Sequence, residues 1–379
     1  MNSSPPAQII SSQKKQAHEA LEEIKNKIEL EAVAGVIFFC SSLYDLSQLQ
    51  LSIESSFDFP VIGCTTAGEI SDCYQTHSLV CLLFNAEVFN VNSALIQEVQ
   101  NFNLSKAMKL ANTLESNLKF NRQFDANHMF GFLLTDGLSL LEERITSLLY
   151  QVMGNINIIG GSAADDFNLD KTFVFHNNQF HEHASVILII EVLVDFEVFR
   201  LQHFEPTEKE LITTEVDFEK RIVKEINGEP AAIAYASING LDYRQLDNVD
   251  FAMYPLMLQI ADKWYIRSIS TVNPDLSLQF HCAIDYGLPL RIATGKDLVQ
   301  RLQQEVSKQQ DLFSEIYFTM GCDCILRRLE IFEKGYSKPI EKLLNQIKFI
   351  GFSSYGEQFN GIHFNQTLVG VVVGKKRHE

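Results

Sequence analysis

The segment Pro60-Val-Ile-Gly-Cys-Thr-Thr-Ala-Gly-Glu69 joins a short apolar run to a glycine, two hydroxyl residues, a second glycine and an acid. A closely matching segment, Phe349-Ile-Gly-Phe-Ser-Ser-Tyr-Gly-Glu357, recurs near the end of the chain, and a looser version begins at Ile158. A glycine at the end of a strand lets the backbone turn sharply, and a neighbouring serine or threonine bonds local N–H groups or a ligand. The matched segments therefore predict two related halves that share a strand and loop unit.

Helix and strand patterns alternate around these segments. Apolar residues recur every three to four positions over 17–28 and 104–118, which predicts amphipathic helices. The continuous apolar run 33–40 predicts a strand covered on both faces, and Asn177-Asn178 predicts a tight hairpin because both residues tolerate positive φ. The fold class predicted is α/β (mixed α+β), with a mixed sheet flanked by helices in each half.

Changes in charge and hydrophobic pattern along the chain indicate its domain organisation. Residues 205–229 carry many charges and few apolar residues, which indicates a domain boundary there. Further on, Thr294 followed by Asp297 is a variant of the capping box and predicts a helix that begins at Thr294. The predicted organisation is a disordered tail at 1–13, an N-terminal domain at 14–222 and a C-terminal domain at 223–379.

Composition narrows the classes of function. The net charge of −17 disfavours nucleic acids and anionic membranes, because both attract lysine and arginine. The longest apolar run, 184–194, is interrupted by Glu191, so no membrane span is expected. The N-terminus lacks the basic start and apolar centre of a secretion signal, and the seven cysteines are an odd number, so we expect a cytoplasmic protein with reduced thiols.

The repeated segments resemble the signature segments of one family. Residues 63–69, 160–163 and 351–357, the last followed by Asn365-Gln366-Thr367, are similar to those of the N- and C-terminal FIST domains, and 227–231 resembles the segment that opens the C-terminal half. The resemblance implies a sensory module for small ligands without catalysis of its own. It also implies a histidine kinase or a cyclic-di-GMP enzyme as the partner regulated in trans, and it leaves open whether the chain forms a homodimer.

The ligand site expected from the repeat and the resemblance is a cleft between the loops 63–69 and 351–357. Backbone N–H groups in such loops form concave nests that hold anionic groups. The alternative is that the loops are structural turns only. The candidate ligand-binding residues are Cys64, Thr65, Thr66, Gly68, Glu69, Ser162, Ser353, Ser354, Glu357 and Asn365.

Some stand-alone members of the family are haem-binding nitric oxide sensors, so the resemblance also implies haem b as a cofactor. A neutral histidine is a common axial ligand, and the candidates here are His363, His281 and His181. No Cys-x-x-Cys-His segment for covalent attachment is present. The alternative is a sensor of an amino acid or another small metabolite that uses no haem.

Other chemistries have weaker signals in the sequence. Cys322 and Cys324 form a single Cys-x-Cys pair, which is a candidate metal site without a second pair of ligands. His176, His181 and His183 fall on one face of the predicted hairpin, where they either bind a metal or face solvent. A Ser/Cys hydrolase that uses Ser162, Ser353 or Cys64 is a further alternative, although no segment matches Gly-x-Ser-x-Gly. Arg327 and Arg328 are expected to pair with a ligand carboxylate or haem propionates, or to lie on a solvated helix face.

Overall fold

The computed structural model describes residues 4–121 and 123–377. The helices there are α1 (Ala17–Asn26), α2 (Leu46–Ser56), α3 (Leu104–Ser116), α4 (Glu142–Met153), α5 (Ala231–Asn239), α6 (Asn248–Met253), α7 (Leu298–Leu312), α8 (Ile325–Glu333) and α9 (Ser337–Gln346), with a 3-10 turn at Val99–Asn101. The strands are β1 (Ala7–Ser12), β2 (Val33–Ser41), β3 (Val61–Thr66), β4 (Glu69–Ile70), β5 (Leu79–Asn85), β6 (Phe89–Ile96), β7 (Met129–Thr135), β8 (Asn157–Ser162), β9 (Val174–His176), β10 (Gln179–His181), β11 (Ser185–Val192), β12 (Asp195–Leu201), β13 (Phe204–Asp217), β14 (Ile222–Ile226), β15 (Glu229–Pro230), β16 (Leu256–Ile260), β17 (Lys263–Arg267), β18 (Ile269–Val272), β19 (Leu278–Phe280), β20 (Pro289–Gly295), β21 (Phe313–Cys324), β22 (Phe349–Ser354), β23 (Glu357–Phe359), β24 (Ile362–Phe364) and β25 (Leu368–Lys376). The predicted mixed α/β fold is confirmed.

Three of the sheets share one arrangement of strands, and we call each of the three, with its covering helices, a unit. Their strand orders are β1-β5-β2-β3-β9-β10 in the first sheet, β6-β11-β7-β8-β23-β24 in the second and β12-β25-β21-β22-β4 in the third. In each sheet two strands are parallel, β2 with β3, β7 with β8 and β21 with β22, and an antiparallel strand flanks the first of each pair. The two matched sequence segments belong to the first and third units, and the looser one belongs to the second.

The three units exchange short strands in a closed cycle. After its second parallel strand, the first unit sends β4 into the third sheet beside β22. The third unit sends β23 and β24 into the second sheet beside β8, and the second unit sends β9 and β10 into the first sheet beside β3. At each repeated glycine loop, the chain therefore passes from one sheet into another.

The sheets share one apolar core. Phe39 of the first sheet has its ring centroid 4.6 Å from that of Phe352 in the third sheet and 6.5 Å from that of Phe132 in the second. The outer faces are covered by the apolar sides of α1 and α2 on the first sheet, α3 and α4 on the second, and α7 and α9 on the third. Burial of both faces explains why strands such as β7 and β11 are apolar along their whole length.

A fourth sheet is inserted between β12 and α7. Its strand order is β17-β16-β20-β13-β14-β19-β18, and β15 pairs with β14. Helices α5 and α6 pack on it, and α6 also contacts α8 of the third unit. The predicted boundary between residues 222 and 223 falls at the start of β14, inside the hairpin that β13 and β14 form.

The structure corrects the sequence predictions for the N-terminal tail and for the start of α7. The tail predicted as disordered contains β1, which pairs with β5 along its whole length; residues 1–3 of that tail lie outside the described part. The helix predicted to begin at Thr294 begins at Leu298, because the side chain of Asp297 accepts a hydrogen bond from the Gln300 N–H (2.9 Å) and caps α7. Thr294 itself lies in β20.

The first glycine of the repeat has a different role from the predicted sharp turn. Gly63 lies inside β3, and a Cβ there would come within 2.5 Å of the Phe38 carbonyl oxygen of β2. Gly351 is in the same position in β22, where a Cβ would lie 2.1 Å from the carbonyl oxygen of Gly321. A glycine is therefore required for the close approach of the two parallel strands.

Candidate functional site

The two repeated loops lie side by side. The Ala67 N–H donates to the Ser353 carbonyl (3.0 Å), and the Ser353 N–H donates to the carbonyl of Gly68 (2.8 Å). The pairing of β4 with β22 continues this contact along the third sheet. The first and third units therefore meet at their loops, as the expected cleft requires.

The acid of the first loop is held by hydroxyl groups. Glu69 is fully buried and accepts hydrogen bonds from the hydroxyls of Thr66 and Ser78. Burial raises the pKa of Glu69 to about 7, and the bonds from Ser78 and Thr66 act in the opposite direction. Glu69 and Thr66 thus fix the loop, one of the two roles that the sequence left open for such residues.

The acid of the third unit repeats this arrangement. Glu357 accepts from the hydroxyl of Ser354 (2.6 Å) and from the hydroxyl (2.8 Å) and the N–H of Thr367 (3.1 Å). Burial raises the pKa of Glu357 to about 8, while the bonds from Ser354 and Thr367 lower it. The repeated acid and hydroxyl pattern therefore has a structural explanation in both units.

Four further predicted ligand residues are buried in internal contacts. Thr65 accepts from the Phe173 N–H (3.0 Å), and Ser162 accepts from the Gln358 side chain (3.0 Å). Asn365 donates to the carbonyl of Tyr355 (3.0 Å), and Cys64 lies in the shared apolar core. These side chains are brought together near the loops, but their polar groups face protein.

A cavity of about 320 Å³ opens at the end of these loops, and we call it the loop-end cavity. It is lined by Ala67, Asp166, Phe167, Ile325, Arg328, Leu329 and Phe332. Phe167 and Phe332 are 43% and 47% exposed, so the cavity is open to solvent. Its size is at the lower end of the range for small-molecule sites.

Arg328 connects both loops to this cavity. Its guanidinium donates to the Ala67 carbonyl (2.8 Å) and to the Ser353 hydroxyl (3.3 Å). It also lies 5.5 Å from the ring centroid of Tyr74 and 5.4 Å from that of Phe332. Gly68 has φ +115°, and a Cβ at this position would overlap the guanidinium, so the positive φ and the close approach both require glycine.

The solvated helix face expected for Arg327 and Arg328 is wrong. Arg327 is 1% exposed, and it forms a buried ion pair with Asp323 (2.7 Å). The Tyr74 hydroxyl donates to the other oxygen of Asp323 (2.6 Å). The two arginines therefore differ in role, since Arg327 is internal and Arg328 faces the cavity.

A second cavity of about 350 Å³ lies between the second unit and the fourth sheet, and we call it the junction cavity. Its lining includes Leu138, Leu140, Leu169, Lys220, Phe280 and His281, together with Arg221 and the β18 and β19 side chains Ser270, Thr271 and Gln279. The buried guanidinium of Arg221 pairs with Glu142 (2.6 Å) and Glu143 of α4. It also donates to the His281 carbonyl (2.8 Å).

The three candidate haem-ligating histidines lie in different places. His281 is partly buried at the wall of the junction cavity, and burial lowers its pKa to about 3. His363 is buried against Gly356, with its pKa lowered to about 4, chiefly by burial. His181 lies on the edge strand β10, with Nε2 3.2 Å from the carbonyl oxygen of His176. Of the three, His281 faces a cavity of ligand size.

Cys322 and Cys324 are both buried on β21. Burial raises the pKa of both thiols well above the ordinary value. Across the described residues, no group of three or more His, Cys, Asp or Glu side chains is arranged to hold a metal ion. Of the hairpin histidines, the His176 ring lies beside the Ser93 hydroxyl, and the His183 ring lies beside the carboxylate of Asp136.

Sequence reasoning missed Asp166, Phe167 and most of α8 as parts of the site. Ala67 and Arg328 are 261 positions apart, so no local pattern joins them. The available signal was the pair Arg327-Arg328, three and four positions after Cys324. Asp166 stood in the looser third segment, and burial raises its pKa against the opposing effect of Arg328.

Comparisons with known proteins cover most of the chain. The sequence model of the FIST N domain matches residues 34–229, and that of the FIST C domain matches residues 231–360. The chain is also 23% identical over 394 aligned positions to the uncharacterized protein MJ1623 of Methanocaldococcus jannaschii, a similarity that covers 93% of this chain and 75% of that protein. Within the described residues, the helices are too short or too polar to cross a membrane.

Proposed function

The chain belongs to the FIST family, whose domains are associated with small-ligand sensing in signal transduction, and we propose that it is a non-enzymatic sensor with its ligand in the loop-end cavity. The observation that carries the proposal is Arg328, which lines the cavity and holds both repeated loops. A ligand that binds this guanidinium contacts the first and third units together.

The chemistry of the cavity favours an amino acid or a similar small metabolite. Arg328 donates through Nη1 to the two loops and through Nη2 to the Gln75 carbonyl (3.1 Å), and its remaining N–H groups offer donors to a carboxylate. Asp166 offers an acceptor for an ammonium or hydroxyl group, and Ile325, Leu329 and Phe332 offer an apolar surface. A small zwitterion with an apolar side chain meets all three requirements.

The position of the ligand explains how the chain would regulate a separate partner protein. The cavity joins a loop of the first unit to α8 of the third, so a bound ligand favours one arrangement of the units over another. We propose that a histidine kinase or a cyclic-di-GMP enzyme reads this arrangement in the cytoplasm. The net charge of −17 favours a partner surface rich in lysine and arginine.

Calorimetric titration with the twenty common amino acids and simple carboxylates tests the site. We expect binding by the wild type and at least tenfold weaker binding by Leu329→Trp, because the indole fills the cavity. The matched control is Glu333→Trp, an exposed position near the end of the same helix that is not part of the cavity lining. Equal affinity in the wild type and Leu329→Trp would contradict the proposed site.

Haem is the second candidate ligand, and the junction cavity is the place where the residues fit it. His281 offers an imidazole that stays neutral near pH 7, since its pKa is lowered to about 3. Leu138, Leu140 and Phe280 offer apolar contacts, and Lys220 offers a charge for a propionate. Bound haem would supply an iron that takes nitric oxide.

Titration of the purified protein with hemin tests this candidate. We expect a Soret band that His281→Ala abolishes and His363→Ala retains, because His363 is internal. Addition of nitric oxide should move the band of the wild type. A band that persists in His281→Ala with unchanged affinity would exclude His281 as the axial ligand.

The contacts of the candidate nucleophiles support a sensor over a hydrolase. The hydroxyls of Ser162 and Ser353 are buried and accept hydrogen bonds from Gln358 and Arg328. Burial raises the pKa of the Cys64 thiol well above the ordinary value, so the thiolate is disfavoured.

A further inference from the structure

We propose that the loop-end cavity and the junction cavity are coupled, so that filling one changes the affinity of the other for its ligand. The link consists of residues 165–172, which we call the wall segment, and the side chain of Tyr355. The inference rests on the proposed ligand binding in the loop-end cavity and adds its regulation by a second, separate cavity.

The wall segment is shared by both cavities. Asp166 and Phe167 line the loop-end cavity, and Leu169 lines the junction cavity. At the end of the segment, the Thr172 hydroxyl accepts from the N–H of Gly137 (3.1 Å), another residue of the junction cavity lining. A movement of the segment therefore changes the shape of both cavities.

A single carboxylate holds the wall segment together, so we expect the segment to move as one piece. Asp165 accepts from the N–H groups of Leu169 (3.1 Å), Asp170 (2.9 Å) and Lys171 (2.9 Å). Asp166 and Leu169 have φ values of 60° and 53°, in the left-handed region that side chains disfavour. Such a backbone persists only where surrounding contacts hold it, so the loss of a few contacts releases it.

Tyr355 is the second part of the link. Its hydroxyl donates to the Asp165 carboxylate and lies 2.8 Å from the Asp166 carbonyl oxygen. Its ring centroid lies 5.8 Å from that of His281, at the wall of the junction cavity. Tyr355 also stands in the repeated loop of the third unit, two positions after Ser353, which Arg328 contacts.

The wall segment and Tyr355 therefore connect the loop-end cavity with the junction cavity. A ligand beside Arg328 and Asp166 acts on the Tyr355 hydroxyl through Asp166 and Asp165, and on Leu169 through the wall segment. A ligand beside His281 acts on the Tyr355 ring from the other side. Because coupling between two binding sites is reciprocal, each ligand changes the affinity of the other by the same factor, and we expect about fivefold or more.

The test fills the loop-end cavity with a larger side chain and measures the effect on the junction cavity. Leu329→Trp serves as a permanent occupant of the loop-end cavity, with Glu333→Trp as the matched control. Hydrogen exchange followed by mass spectrometry reports on 137–140, 165–172 and 279–283, and hemin is the probe titrated into the junction cavity. Each variant is also made with Tyr355→Phe, which retains the ring and removes the hydroxyl.

We expect Leu329→Trp to change exchange in all three peptides and to shift the hemin dissociation constant about fivefold, whereas Glu333→Trp changes neither. With Tyr355→Phe, the change at 279–283 and the shift in hemin affinity should be lost. If Leu329→Trp alters exchange only in α8 and 165–167, the cavities are independent and the proposal is overturned.

The test separates this proposal from the proposed function. If the amino-acid panel does not bind but the exchange pattern appears, the ligand assignment fails and the coupling stands. If hemin does not bind, the exchange data alone decide the coupling. Leu329→Phe replaces Leu329→Trp if thermal melting shows that the larger side chain prevents folding.

Discussion

Each of the two matched loops ends in a buried acid. Glu69 and Glu357 follow the second glycine of matched loops, and each is fully buried among hydroxyl donors of its own unit. Ionisation in such surroundings is costly because the hydroxyl groups offer less stabilisation than water. These carboxyls therefore make the stability of the loops sensitive to pH.

We predict that the contribution of Glu69 and Glu357 to the free energy of unfolding decreases as the pH rises from about 5 to about 8. The pKa of Glu69 is raised to about 7 and that of Glu357 to about 8, so the folded protein holds protons that the unfolded chain has released. Glu69→Gln should reduce the loss at high pH by on the order of 3 kcal/mol. Chemical denaturation across this pH range measures the effect.

The control for this prediction is Glu54→Gln, a substitution at an exposed position of α2. It should leave the pH dependence of the wild type unchanged. A pH dependence that is identical in wild type and Glu69→Gln would show that Glu69 is ionised at its ordinary pKa.

At the scale of elements, the helices and hairpins follow local signals closely. The φ values of Asn177 and Asn178 are 51° and 58°, as the predicted hairpin between β9 and β10 requires. Helix α7 shows how one competing signal misleads. Thr294 and Asp297 both resemble a helix cap, but β20 runs through Thr294 to pair with β13, and Asp297 becomes the cap.

We predict that Asp297→Ala lowers the free energy of unfolding by about 1 kcal/mol, because the Gln300 N–H loses its acceptor. Thr294→Ala serves as the comparison and should have a smaller effect, since Thr294 does not cap the helix. Urea denaturation of both variants distinguishes the two assignments. A larger loss in Thr294→Ala than in Asp297→Ala would contradict the observed cap.

At the scale of the whole molecule, the exchange of short strands makes the three units interdependent. Each sheet contains a strand from another unit, and the three inner faces form one core. Phe39, Phe132 and Phe352 contribute one ring from each sheet to this core. We therefore expect the three sheets to unfold together.

Phe39→Ala tests this cooperativity. Removal of a buried phenylalanine costs about 3–5 kcal/mol, and we expect hydrogen exchange to accelerate in all three sheets, including β7 and β22. Phe57→Ala, at the edge of the separate cluster under α1 and α2, should accelerate exchange mainly in the first sheet. Acceleration confined to the first sheet in Phe39→Ala would show that the units unfold separately.

Local features of the sequence were enough to predict the mixed α/β class, several helices and strands, and the family, because periodicity, turn residues and the repeated loop segments are all encoded over short stretches. The sequence also indicated that the loops 63–69 and 351–357 belong together, and they lie in contact. What the loop side chains contact depends on the tertiary structure. Thr66 and Ser354 donate to buried acids, while the cavity beside them depends on Arg328 and Asp166. The physical reason is strand exchange between units, which joins residues hundreds of positions apart and leaves no periodic signal in the chain.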